Sequence, residues 1–173
     1  MNNTLTPDIP NFDDPIGLLR ACHERMLANC DTLEKLVPHL QENGLDEEAK
    51  TAIAGITRYF TTSAIHHHED EEQDLFPLLN SQSLKLAEII YRLKQDHQQL
   101  DALWQQLATD LKQGSALVDN TDFADHVSQF CHAYREHIEL ENRELLFLAQ
   151  HSLSSVQLED IGNSMAKRRG VKR

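Results

Sequence analysis

Four stretches of this chain repeat apolar residues at intervals of three and four, and each repeat is broken once by a histidine. Such spacing lays one apolar stripe along a helix, so the chain must pack helices stripe to stripe. Strand signals are missing: there are no alternating β-branched runs and no Asn-Gly hairpin turns. Punctuation supports the same reading. Asp13, Asp14 and Pro15 open a first helix that stops at Gly44, and Pro38 is expected to kink or interrupt its end. Asp46 opens a second helix reaching Leu75-Phe76-Pro77. A third runs from Leu84 to Gly114, the segment 116–122 reads as a loop, and Thr121 or Asp122 caps a fourth reaching Gln150. Ser154 and Gln157 form a capping-box pattern before a short fifth helix that ends near Gly170. The expectation is all-α: an up-down-up-down four-helix bundle with a short fifth C-terminal helix. Residues 1–12 read as an N-terminal extension, 13–150 as the bundle, and 151–173 as the short helix with a basic tail.

A length of 173 residues suits one domain with a sizeable core. The longest apolar runs are a few residues, too short to span a membrane. The N-terminus has neither a basic start nor an apolar stretch, so no signal peptide is read and the cytoplasm is the expected compartment. Three cysteines, an odd number, fit reduced thiols better than a disulfide framework. A formal net charge of −12 argues against nucleic acid as a partner. The exception is the tail with Lys167, Arg168, Arg169, Lys172 and Arg173, which reads as cations complementing the dipole of the last helix.

Each inward stripe can be written out in steps of three and four. Helix one gives Leu19, His23, Met26, Cys30, Leu33 and Val37; helix two gives Ile53, Ile56, Phe60, Ala64, His67, Glu71, Leu75 and Leu78. Helix three gives Leu86, Ile90, Leu93, His97, Leu100, Trp104, Leu107 and Leu111; helix four gives Phe123, Val127, Phe130, Tyr134, His137, Glu141, Leu145 and Ala149. In helices two and four a glutamate follows the histidine one turn later. His66 and His68 lie about 100° to either side of His67 and are expected at the rim or in solvent. Glu69, Asp70 and Glu72 fall off the stripe, and His39, His126, His132 and His151 are assigned to the surface. Cys30 reads as a small core residue with Cys22 and Cys131 at its border. Trp104 and Tyr134 read as core aromatics, Tyr134 close enough to His137 to line a pocket there.

A single buried histidine is ordinarily a packed, hydrogen-bonded core residue. Four at matching depth with two core carboxylates need another account. Unpaired buried carboxylates cost several kcal/mol or take up a proton, and no stripe carries a Lys or Arg to pair with them. A cation would satisfy all six. Imidazole suits zinc, copper, iron and nickel, while bridging carboxylates favour a pair of ions. The His-x3-Glu spacing places both ligating groups on one helix face.

The segments "ACHERM", "HHEDEEQDLFP", "DHQQL" and "HIELENRELLF" resemble a hemerythrin-like (HHE cation-binding) domain, a bundle family with a di-iron site in its core. The resemblance covers residues 13–150. It implies that His23 and His67 bind one iron and His97 and His137 the other. Glu71 and Glu141 would bridge them, with an oxo or hydroxo group completing the centre. One departure stands out. Oxygen-carrying hemerythrins have a His-x3-His pair on helix three, but here Leu93 precedes His97 by one turn and Asp101 follows it. The centre is therefore expected to have four histidines and to be unsuited to simple dioxygen carriage.

The resemblance implies a non-haem di-iron protein that binds or senses a small ligand: dioxygen, nitric oxide or peroxide. Alternatives are a di-iron enzyme (a peroxidase or a nitric-oxide-detoxifying protein), an iron donor or store, and a bundle with a structural metal. No nucleophile-and-base set, phosphate loop or nucleotide fingerprint occurs.

Overall fold

A computed structural model describes residues 11–172, and every regular element among them is helical. Residues 1–10 of the expected N-terminal extension and Arg173 of the tail lie outside the described residues.

Helix α1 (Pro15–Asn43) begins where the Asp14 carboxylate accepts the Gly17 N–H at 2.9 Å. It continues through Pro38, so the proline does not interrupt it. Pro38 is exposed, so the carbonyl left without its N–H partner can turn to water. Gly44, at φ 69°, ends the helix. The expected second helix is a rod in pieces. Asp46 caps α2 (Glu47–Thr61) through Ala49 N at 2.8 Å, and the chain breaks at Thr62. It resumes as α3 (Ser63–Glu69), widens into a π-helical turn (Asp70–Leu75) and ends as α4 (Phe76–Leu79). Ser83 caps α5 (Leu84–Leu111). The following segment forms a 3-10 helix (Gly114–Asp119) instead of an open loop, because Leu117 is drawn into the core. Helix α6 (Phe123–Leu140) begins after Asp122, whose side chain makes no capping bond. A second π-helical turn (Glu141–Leu145) leads into α7 (Leu146–Ser152). Both halves of the Ser154–Gln157 capping box form at the start of α8 (Ser155–Arg168).

Neighbours follow a closed circuit: α1 packs on α2 and α6, and α5 packs on α6 and α2. Helix α8 lies against α1 and the first π turn. The core divides into two apolar zones. One gathers Met26, Cys30, Phe60, Trp104, Phe130 and Tyr134; the other gathers Leu19, Leu75, Phe76, Leu93, Leu145 and Met165. On the first three long segments the change from one zone to the other falls at a histidine, and on the fourth it falls between His137 and Glu141, so a polar belt separates the two zones.

Each π turn shifts the helical phase. The Glu71 carbonyl accepts the Phe76 N–H, and the Glu141 carbonyl accepts the Leu146 N–H, both five residues on. The extra residue per turn brings the pairs Leu75-Phe76 and Leu145-Leu146 inside together. Beyond the first turn the buried position is Leu79, and the expected Leu78 is only partly buried. On α1, Leu36 and Leu40 are buried in place of Val37.

Candidate metal centre

The belt brings together all six residues the stripes select. His23, His67, Glu71, His97, His137 and Glu141 are each buried, none more than 6% exposed. Their inward atoms converge. His23 Nε2 lies 3.0 Å from His67 Nε2 and 2.9 Å from Glu141 Oε2. Glu71 presents Oε1 to His67 Nε2 at 2.9 Å and Oε2 to His97 Nε2 at 3.2 Å. Glu141 Oε2 is 3.5 Å from His137 Nε2. One carboxylate therefore faces two separate histidine groups with its two oxygens, the requirement for a bridge.

Of these separations the one between His23 Nε2 and His67 Nε2 has the direction of a hydrogen bond, and those to the carboxylates do not. Both carboxylate oxygens of Glu71 and of Glu141, and Nε2 of His97 and His137, are buried with no aligned partner among the described residues. Orphaned buried acceptors of this number are costly, and a cation between them removes the cost. The spacing fits: two ligand atoms about 2.1 Å from a shared ion and at right angles to each other stand about 3.0 Å apart. Two overlapping sets result, His23-His67-Glu71-Glu141 and Glu71-His97-His137-Glu141, which share both glutamates.

The outer nitrogens fix the rings. His23 Nδ1–H donates to Asn142 Oδ1 at 2.8 Å, and His97 Nδ1–H donates to Glu72 Oε1 at 2.6 Å. His137 Nδ1 faces Asp96 Oδ2 at a longer 3.4 Å. An acceptor at Nδ1 selects the tautomer whose Nε2 lone pair points inward, as metal-ligating histidines require. His67 Nδ1 lacks an aligned partner, and its neighbour is the Cys22 thiol. Burial would raise that thiol, but His67 and Arg25 outweigh it and hold it below the usual thiol range.

The electrostatics are those of a cation site. Burial would depress His23, yet Glu141 and Glu71 raise it to about 9. His67 is likewise raised well above its ordinary value, against burial, by Glu71 and its other neighbours, and His97 is raised by Glu71. Glu71 is held well below the carboxylate range despite burial, chiefly by His67. Positive charge is favoured here, and metal ions would displace the protons that supply it.

Two expectations are corrected. His68 is half-buried and turns its ring inward. Its ring stacks on His97 with centroids 4.0 Å apart, its Nε2 is buried without an aligned partner, and it forms a further ligand group with His97 and His137. Burial and the neighbouring His97 push its pKa well below the ordinary value, so its ring is neutral and free to ligate. His67 keeps the phase of Phe60 and Ala64 across the break at Thr62 and faces His23, while His68, one residue on, meets His97 of α5 and His137 of α6. His68 thus stands beside the four histidines expected at the centre. Asp70, expected off the stripe, is fully buried. Arg168 and Arg169 reach it from the end of α8, so these two tail residues do more than complement a helix dipole.

Of the remaining candidates, Cys131 is buried as fully as Cys30 and Cys22 nearly so, and all three thiols are free. His39 and His126 are partly buried and pair with Asp46 and Asp110, whereas His132 and His151 are exposed. Tyr134 and Trp104 line a cavity of about 40 Å³ that reaches His68 beside Ile65 and Asp101. No helix among the described residues is long and apolar enough to cross a membrane.

The family model for the hemerythrin HHE cation-binding domain matches residues 14–149. An uncharacterized protein of Haemophilus influenzae is 30% identical over 162 residues, covering 93% of each chain.

Proposed function

We propose that this chain, which belongs to the hemerythrin HHE cation-binding domain family, holds a pair of iron ions and binds or senses a small ligand there. The observation that carries the reading is the sharing of Glu71 and Glu141 between two histidine groups. His23 and His67 would hold one ion, with His97 and His137 on the other and His68 as a fifth histidine beside that pair. A structural single-metal site needs four donors, and this set exceeds that. Iron would supply a redox-active centre with room for an exogenous donor. The chain's own groups orient the histidines through Asn142, Glu72 and Asp96 and keep bulk water out with the two apolar zones. The cavity of about 40 Å³ beside Tyr134 and His68 is of a size for a ligand of a few atoms such as dioxygen, nitric oxide or peroxide.

The same reading includes the architecture and the compartment. The zone order along the four long segments reverses each time, which supports an up-down-up-down bundle with α8 as a short fifth helix. Three free buried thiols suit a reducing cytoplasm. A di-iron enzyme and an iron donor or store are the other readings of the same centre. The test is anaerobic addition of dioxygen, nitric oxide and peroxide to the reduced, iron-loaded protein, followed by optical spectroscopy. A prompt spectral change with at least one of them is expected. Spectra indifferent to all three would remove the small-ligand role.

A further inference from the structure

Asp70 precedes Glu71 in the chain, is fully buried, and is engaged by neither histidine group. Both its oxygens are taken from outside the four long segments. Arg168 Nη1 donates to Oδ1, while Arg169 donates to Oδ1 at 3.1 Å and to Oδ2 at 2.6 Å. The grip extends around the turn. Arg168 Nη2 also donates to Asp74 Oδ2 at 2.9 Å and Gln73 Oε1 at 3.2 Å, and its Nε stands 3.6 Å from Glu69 Oε2. Arg169 is tied back to its own helix through Met165 O at 3.0 Å. Two arginines at the end of one 14-residue helix thus fasten three side chains of the widened segment that carries Glu71, with Glu69 just before it.

A π turn has poorer internal hydrogen bonding than an α-helical turn, so its geometry depends on what surrounds it. Here the surroundings include a buried acid with two forked cations, a geometry lysine could not reproduce. We propose that Arg168 and Arg169 are positioning residues for the metal centre: α8 is a strap that holds Glu71 in place through Asp70 and sets how fast bound ions leave. The proposal rests on the ion-pair reading above. It gives the basic end of α8 a role in metal retention beyond packing.

The test uses the full chain loaded anaerobically with ferrous iron and challenged with excess bipyridyl, with release followed by colour. Arg168→Ala/Arg169→Ala should release iron about tenfold faster or more, within the range for lost outer partners of metal ligands. Asp70→Asn should do the same, and Arg168→Lys/Arg169→Lys should fall between, keeping charge without the fork. Ile161→Ala, which thins the buried face of α8 and leaves the arginines alone, should lower the melting temperature of the metal-free protein with release near wild type. A double-alanine variant releasing at the wild-type rate would overturn the strap. So would an Ile161→Ala variant accelerated as much as the double mutant. A wild-type chain that takes up no iron would overturn the ion-pair reading and the strap together.

Discussion

The two π turns share a position and differ in what holds them. Each follows a histidine on the same rod, each contains the centre's glutamate, and in each the glutamate carbonyl accepts an N–H from five residues on. The first, Asp70–Leu75, is locked by a fully buried acid under two arginines of α8. The second, Glu141–Leu145, is pinned by surface pairs: Lys85 to Glu144 at 3.1 Å, and Arg143 to Glu139 at 3.5 Å and to Glu144 at 3.6 Å. It also reaches inward, since Asn142 orients His23 on α1. A further asymmetry lies beside each histidine, where His67 is followed by a second inward histidine and His137 by the apolar Ile138. A shared His-x3-Glu pattern thus sets ligand direction alone. Retention of that geometry is left to tertiary contacts that can differ completely.

The largest effect should come from treating the two turns alike. Glu71→Gln and Glu141→Gln each remove an anionic oxygen pair, so metal analysis should find the content falling from about two ions per chain to one or none. Retention of both ions in either variant would break the symmetry of the bridge. Next comes the asymmetry beside the histidines. His68→Ala should weaken iron binding by about tenfold or more in a competition titration, while His66→Ala, on the outer side, should leave it near wild type. Equal losses would return His68 to the rim.

Stability then separates the two clamps. Asp70→Ala removes the charged hydrogen bonds of a buried acid, leaving two partly exposed arginines, and should cost about 1.5–3 kcal/mol in urea unfolding of the metal-free protein. Lys85→Ala breaks an exposed pair and should cost less than about 1 kcal/mol. Comparable costs would mean that burial does not distinguish the turns.

The smallest effect lies away from both turns. Hydrogen bonding to Asp46 at 2.9 Å raises His39 above its ordinary value of 6.5, and the Ala49 N–H, then His39, lowers Asp46. A raised histidine lends stability that is complete below its unfolded value and is lost as pH rises through the folded one. The melting-temperature gap between wild type and His39→Gln should therefore shrink from pH 6 to pH 9; a gap that widens would contradict the pairing.

What could be read from the sequence follows the helical period. On α5 a single unbroken phase runs from Leu86 through His97 to Leu111, and every stripe position is buried. The His-x3-Glu pairs were legible for the same reason, because regular helix connects them to the apolar residues that fix their phase. Past Glu71 the π turn adds a residue, and the buried position moves from Leu78 to Leu79. His68 was illegible because it stands one residue past the centre of its own stripe, and only the rings of His97 and His137 on α5 and α6 make that side an inner one. The Asp70 clamp joins residues 98 positions apart, and an acid off the stripe with cations at a helix end carries no local sign of such pairing.

The central claim is that Glu71 and Glu141 are shared between two ions. Native mass spectrometry of the full chain during anaerobic titration with ferrous iron tests it most directly. Saturation at two ions per chain, lost in both Glu→Gln variants, is the predicted result. Saturation at a single ion, or one tightly held zinc that excludes iron, would contradict it.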